Sequence, residues 1–183
     1  MIIIDQTFDR ISELAKGEYE QCTFNDCNLA NANLAGYKFS ECSFHNCNLS
    51  LTTLDNTAFR DVSFKDCKML GMRFDSCNAL GISFSFENCQ LNHSSFYKLK
   101  IKKTSFKKSQ LKEADFTECD LSHSSFLDCN LELATFDRTI LEHADFRTAY
   151  NYSFDPELNK IKKAKFSLNG IPGLLDKYGI VIG

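Results

Sequence analysis

Nine cysteines, four histidines and a dense run of carboxylates are the residues of this 183-residue chain whose types could do chemistry. Cysteines can close disulfides or hold zinc, histidines can bind metal or move protons, and carboxylates can pair for acid–base work or present charge to a partner. Cys22, Cys27, Cys42, Cys47, Cys67, Cys77, Cys89, Cys119 and Cys129 all fall at the same place in a five-residue period. That regularity suits small hydrophobes facing a core. The alternative is a zinc site from Cys22, Cys27, Cys42 and Cys47, although tetrahedral four-cysteine sites usually use short C-x2-C turns rather than this C-x4-C spacing. Free thiols throughout point to a reducing compartment, and a cytoplasmic location is expected. The start, MIIIDQTF, is too short an apolar run for a signal peptide or membrane span. His45, His93, His123 and His143 take outward positions, and the column His123–His143 continues to Lys103 and Lys163, poor company for a metal ion. There is no Gly-rich phosphate loop and no recognisable Ser-His-Asp or paired-carboxylate motif, so no enzyme, cofactor or metal is expected.

The elements that hold these residues follow from the period. From Thr104 to Thr148 every fifth residue is Phe or Leu in alternation: Phe106, Leu111, Phe116, Leu121, Phe126, Leu131, Phe136, Leu141, Phe146. Two places before each stands a small residue, from Thr104 and Ser109 to Ala144. A period of five fits neither a helix nor a long strand, so the chain turns once per repeat. Within a repeat the small and large residues lie on one face of a short extended segment, and the last two residues make the corner. Four sides make a coil of twenty residues and give uniform columns, such as Phe106, Phe126, Phe146 and Phe166. Three sides would stack Phe106 on Leu121. An all-β solenoid of four-sided coils is predicted, because no single coil buries its own apolar face.

An earlier block centres on Tyr19, Phe24, Leu29, Leu34, Phe39, Phe44, Leu49, Leu54, Phe59, Phe64, Met69, Phe74, Ala79 and Phe84. The next centres are Phe86, Leu91, Phe96 and Ile101, so two extra residues enter near 81–86, where Gly81 can take the backbone angles of a bulge. Residues 1–16 are expected to cap the first coil, 17–168 to form the solenoid and 169–183 to form a C-terminal helix and an apolar strip suited to dimerisation; whether the first segment is helix or strand stays open. Pro172 suits the first turn of a short helix that Gly179 ends.

The net charge is −3, which argues against general nucleic-acid binding. The distribution is uneven. An acidic zone holds Glu113, Asp115, Glu118, Asp120, Asp128, Glu132, Asp137, Glu142 and Asp145, followed by Asp155 and Glu157, against Arg138 and Arg147 alone. Just before it Lys98, Lys100, Lys102, Lys103, Lys107, Lys108 and Lys112 form a lysine belt without an acid among them. Five residues per side at roughly 3.3 Å give, with side chains, a rod about 20–25 Å wide, near the girth of duplex DNA.

The pattern A-D-F-T-E, C-D-L-S-H, C-N-L-E-L, A-D-F-R-T resembles the pentapeptide-repeat proteins, and the resemblance runs from about Gly17 to Ser167. It implies a right-handed quadrilateral β-helix; the handedness comes from the resemblance. The ending A-K-F, then G-L-L-D-K-Y-G-I-V-I-G, is similar to that of the Qnr and MfpA group of quinolone-resistance pentapeptide-repeat proteins. That similarity implies a head-to-head homodimer through Leu174, Leu175, Tyr178, Ile180, Val181 and Ile182. It also implies a DNA mimic whose acidic zone binds a type II topoisomerase, DNA gyrase or topoisomerase IV, and protects it from quinolones. A structural interaction module with an unrelated protein partner is the alternative.

Overall fold

The computed structural model describes every residue from Met1 to Gly183. Eleven short strands alternate with corners: β1 (Ile2–Ile4), β2 (Thr7–Asp9), β3 (Glu18–Glu20), β4 (Thr23–Asn25), β5 (Lys38–Ser40), β6 (Ser43–His45), β7 (Ala58–Arg60), β8 (Val62–Lys65), β9 (Phe84–Glu87), β10 (Ser105–Lys107) and β11 (Ser125–Leu127). All pair in parallel with the strand one coil away, and residue centres stack on residue centres, as Phe24 on Phe44 and Phe106 on Phe126. The repeat explains each local shape. Thr104 and Phe106 are buried, Ser105 between them is exposed, and Lys108 turns the corner at φ +50°. Backbone groups are satisfied between coils: the Ser125 N–H donates to the Thr104 carbonyl at 3.0 Å and the Phe126 N–H to that of Asp145 at 2.9 Å.

The four sides can be followed down the rod. Side 1 carries β1, β3, β5 and β7 and, after an interruption, the bridged positions Lys100, Asp120, Ile140 and Lys160. Side 2 carries the other seven strands and then the bridged levels of Asp145 and Lys165, nine levels in all, or about 38 Å at roughly 4.8 Å per level. Side 3 runs from Asn28 to Tyr150, and side 4 through Asn33, Thr53, Arg73, Ser95, Asp115 and Thr135. The architecture is the right-handed quadrilateral β-helix expected from the repeat and the resemblance.

Beneath side 2 lies an unbroken phenylalanine column, Phe8, Phe24, Phe44, Phe64, Phe86, Phe106, Phe126, Phe146 and Phe166. Its rings stack at 4.4 to 5.4 Å. Stacks of this kind contribute about 0.5–1.5 kcal/mol per pair beyond the burial of area. The column survives the register slip, which is visible as a change of pairing offset. His45 pairs with Lys65, twenty residues on, whereas Lys65 pairs with Glu87, twenty-two on.

One expected core position moves. Ala79 is exposed rather than inward, and so are Leu80 and Gly81; Ile82 turns inward in its place. The side-1 segment bulges outward between the Asn78 N–H, which donates to the Thr57 carbonyl, and the Ser83 N–H, which donates to that of Phe59. Gly81 has φ +70° in this bulge. An alanine fills an inward site poorly, and Ile82 with Phe84 fills it better, which is the physical reason for the displacement.

The ends differ. Met1–Lys16, left open by the sequence, contains β1 and β2 and so begins both sheets. At the other end Asp155 Oδ1 accepts the Glu157 N–H at 2.8 Å in the turn around Pro156. Then 3-10 turns flank the helix α1 (Pro172–Leu175), and Gly179 stops it at φ +58°. This cap lies so close to the last coil that a Cβ on Gly173 would stand 2.0 Å from the Tyr152 carbonyl oxygen.

Candidate functional site

The interior offers no site. Aromatic and aliphatic columns fill it, and the recesses on the exterior are shallow grooves of at most about 660 Å³, lined mainly by polar side chains such as Asn46, Asp66 and Asn88. All nine cysteines are buried and free. Most of the thiols are occupied by the backbone, as Cys47 Sγ donates to the Phe24 and His45 carbonyls at 3.3 Å each. Burial pushes the Cys42 thiol up to about 11 and the Cys129 thiol up to about 12, which favours the protonated form over the metal-binding thiolate. The side chains left available for contact are the outward ones. Their positions are set by the corner geometry, which returns the same column every coil.

That column rule sorts the acidic zone. Glu113 meets His93 at 3.3 Å, Glu118 lies between Lys98 at 3.5 Å and Arg138 at 3.2 Å, and Glu132 meets Lys112 at 3.0 Å. Each of these partners is twenty residues away, one coil along the axis. Asp137 pairs with Arg138 at 2.9 Å and Asp145 with Arg147 at 2.7 Å. The Arg147 hydrogen bond holds the Asp145 carboxyl below the usual range, outweighing its partial burial. Asp120 is the one buried member. Burial opposes its ionisation, but Ser122, 2.6 Å away through its hydroxyl, and Lys102 at 3.2 Å outweigh that and hold the carboxyl low. Asp115, Asp128 and Glu142 have no cation within 4.0 Å, although one Asp115 oxygen accepts the Thr117 N–H. The nine carboxylates thus occupy all four sides; three of them have no cation within 4.0 Å, and Glu113 faces only a histidine, which is charged only when protonated.

The lysine belt is divided in the same way. Lys98, Lys107 and Lys112 stand on other sides and pair with Glu118, Glu87 and Glu132. Lys100 and Lys103, on side 1, have no acidic partner. Below them on the same side lie three lysines that linear charge counting passed over, Lys160, Lys162 and Lys163. The signal was available: Lys-Ile-Lys-Lys at 100–103 recurs at 160–163, three coils of twenty residues later.

The C-terminal residues also separate. Leu174 is buried in the chain's own core and Leu175 is half-buried. Tyr178 lies beneath the Lys177 ammonium, 4.9 Å from the ring centre, and Lys177 is held by Asp155 at 2.8 Å and Glu157 at 2.6 Å. Ile180, Val181 and Ile182 form an exposed apolar strip, with Val181 98% accessible. No helix is long and apolar enough to cross a membrane.

The whole rod has relatives of known structure. QnrB1, a plasmid-mediated fluoroquinolone resistance protein, matches in a trypsin-treated variant with a TM-score of 0.64 at 15% identity, over 100% of this chain and 98% of that chain. A second trypsin-treated variant matches at 0.56 and 19%, over 100% and 99%, and the full-length protein at 0.55 and 16%, over 98% and 97%. At these identities the likeness is one of fold. No match is found among curated protein sequences. A family model for the pentapeptide repeat region matches residues 17–85 and 82–149, two stretches that meet at the register slip. With twenty-residue coils of four inward-facing repeats on both sides of that slip, the chain belongs to the pentapeptide-repeat family.

Proposed function

We propose that this protein works by surface recognition as a homodimeric DNA mimic in the cytoplasm, binding a type II topoisomerase, DNA gyrase or topoisomerase IV, and shielding it from quinolones. The observation that carries this reading is the full-length likeness to a fluoroquinolone resistance protein on a rod with a filled interior and duplex-like width. Such a rod can occupy a positively charged DNA-binding saddle by the electrostatics that hold phosphates. Asp115, Asp128 and Glu142 carry most of the attraction, because most of the other acids are already paired with cations one coil away or in the same repeat. Ile180, Val181 and Ile182, with Tyr178 beside them, join two copies about a two-fold axis, while Leu174 acts within its own chain as the anchor of the cap.

Purified gyrase tests the reading. The protein at micromolar concentration is expected to inhibit supercoiling or reduce quinolone-stabilised cleavage, and the D115K/D128K/E142K variant to lose at least about tenfold in that effect. No effect of the unmodified protein would remove the proposal. Light scattering tests the assembly separately: a dimer for the natural chain and a monomer for V181E/I182E.

A further inference from the structure

The structure assigns a second recognition surface, on side 1 of the C-terminal half, whose chemistry fits the phosphate backbones of duplex DNA. Lys100, Lys102 and Lys103 form one triad there and Lys160, Lys162 and Lys163 another, and all six are exposed. Only Lys102 is tied to an acid, Asp120. The acids on this side are that same Asp120, turned into its own serine and lysine bonds, and Glu142. Six cations against two anions leave this side with an unbalanced positive charge.

Geometry selects the partner. The triads lie three coils apart, about 14 Å at roughly 4.8 Å per coil. That is close to the width of the major groove of duplex DNA, about 12 Å, so each triad meets one of the two backbones that border it. Between the triads the corner column is filled by His123 and His143, whose rings stack at 4.5 Å and 7° and whose N–H groups supply further donors. No aromatic residue projects from side 1 in this half; Tyr97 and Tyr150 stand on sides 4 and 3. Without a stacking platform the surface has nothing for unpaired bases, and binding is through phosphates and independent of sequence. The overall charge of −3 does not oppose this, since sorting the charges by side leaves side 1 of this half cationic and places the excess of acids on the other faces.

The test uses the full-length chain and a fluorescently labelled 30-base-pair duplex. Six phosphate contacts predict that log K falls with log salt at a slope of about −5, near −0.9 per contact. The variant K100Q/K103Q/K160Q/K163Q is expected to bind at least about tenfold more weakly and with a slope near −2, whereas K65Q/K68Q, which removes charges from other sides, is expected to change neither. Unchanged thermal melting of each variant excludes a folding defect, and K100Q/K160Q alone is the fallback if the fourfold variant melts early. Absence of binding at 50 mM salt would overturn the assignment. So would equal loss in K65Q/K68Q, or displacement of the duplex by poly-glutamate at equal charge, which would make the partner an acidic protein. The gyrase assay on the unmodified chain reads supercoiling and shares only Glu142 with this side, so the two proposals fail independently.

Discussion

The coils before the register slip and those after it have the same backbone plan but solve their interiors and corners differently. Before the slip the aromatic rings stand on adjacent sides 1 and 2 and meet edge to face within one coil, as Phe39 and Phe44 do at 5.5 Å and 71°. After it they stand on opposite sides 2 and 4 and meet across the axis, as Phe106 and Phe116 do at 5.8 Å and 82°. Away from the slip both arrangements place two aromatic and two aliphatic side chains in each coil, so the cross-section is conserved. Phe84, at the slip, touches Phe74, Phe86 and Phe96 and joins the two patterns.

The corners differ more. Nearly every corner takes positive φ, with Ser76 and Thr148 as exceptions, a region that glycine, asparagine and aspartate tolerate best. Before the slip those three types dominate: Asp5, Asp26, Asn31, Gly36, Asn46, Asn56, Asp61, Asp66 and Gly71. After it the corners are mostly charged or imidazole side chains, His93, Lys98, Lys103, Lys108, Glu113, Glu118, His123, Arg138, His143 and Lys163. The first half selects residues for backbone ease, and the second gives up some of that ease to display charge. Both surfaces proposed above lie in the second half.

The sharpest way to break this comparison is through the core. Phe44→Ala and Phe106→Ala are each expected to cost about 3–5 kcal/mol. In a solenoid held by nearest-neighbour contacts, Phe106→Ala should release the C-terminal coils while the N-terminal ones stay protected in native-state hydrogen exchange. Loss of protection along the whole rod at once would show that the halves are one cooperative unit.

Titration gives a second, intermediate effect. Burial raises Tyr19 to about 12 and Cys42 to about 11 before the slip, and also raises Cys27 and Cys77 there; Cys119 and Cys129 are raised after it. Folded-state values above the unfolded ones mean that this stability is complete below about 9, the ordinary thiol value, and is lost as pH rises towards the folded values. The N-terminal half has more such groups, so limited proteolysis at pH 10 is expected to cut there first. Acid acts the other way. Asp120 and Asp145 are held low after the slip and Asp75 before it, so their contribution is present above the ordinary 3.8 and lost as pH falls through the folded values. The C-terminal half should therefore be cut first at pH 3.

The smallest effect concerns single corners. Lys108 has φ +50° and no acidic partner, so Lys108→Asn should stabilise by about 0.5–1 kcal/mol, and the reverse exchange, Asn31→Lys, should destabilise by about as much. Urea midpoints at constant slope would measure both; equal and negligible changes would deny that the second half carries strained corners.

The amino-acid order alone determined the period, the four sides, the inward columns and the slip, because each depends on a pattern completed within five or twenty residues. Pro172 and Gly179 as helix limits were equally local. Only the tertiary structure decided that Ile82 replaces Ala79, that Met1–Lys16 begins both sheets, and which charges cancel. Those outcomes depend on contact between successive coils, where an offset of twenty or twenty-two residues selects each side chain's neighbour. Glu118 finds its cations in Lys98 and Arg138, while Lys100 finds no acid.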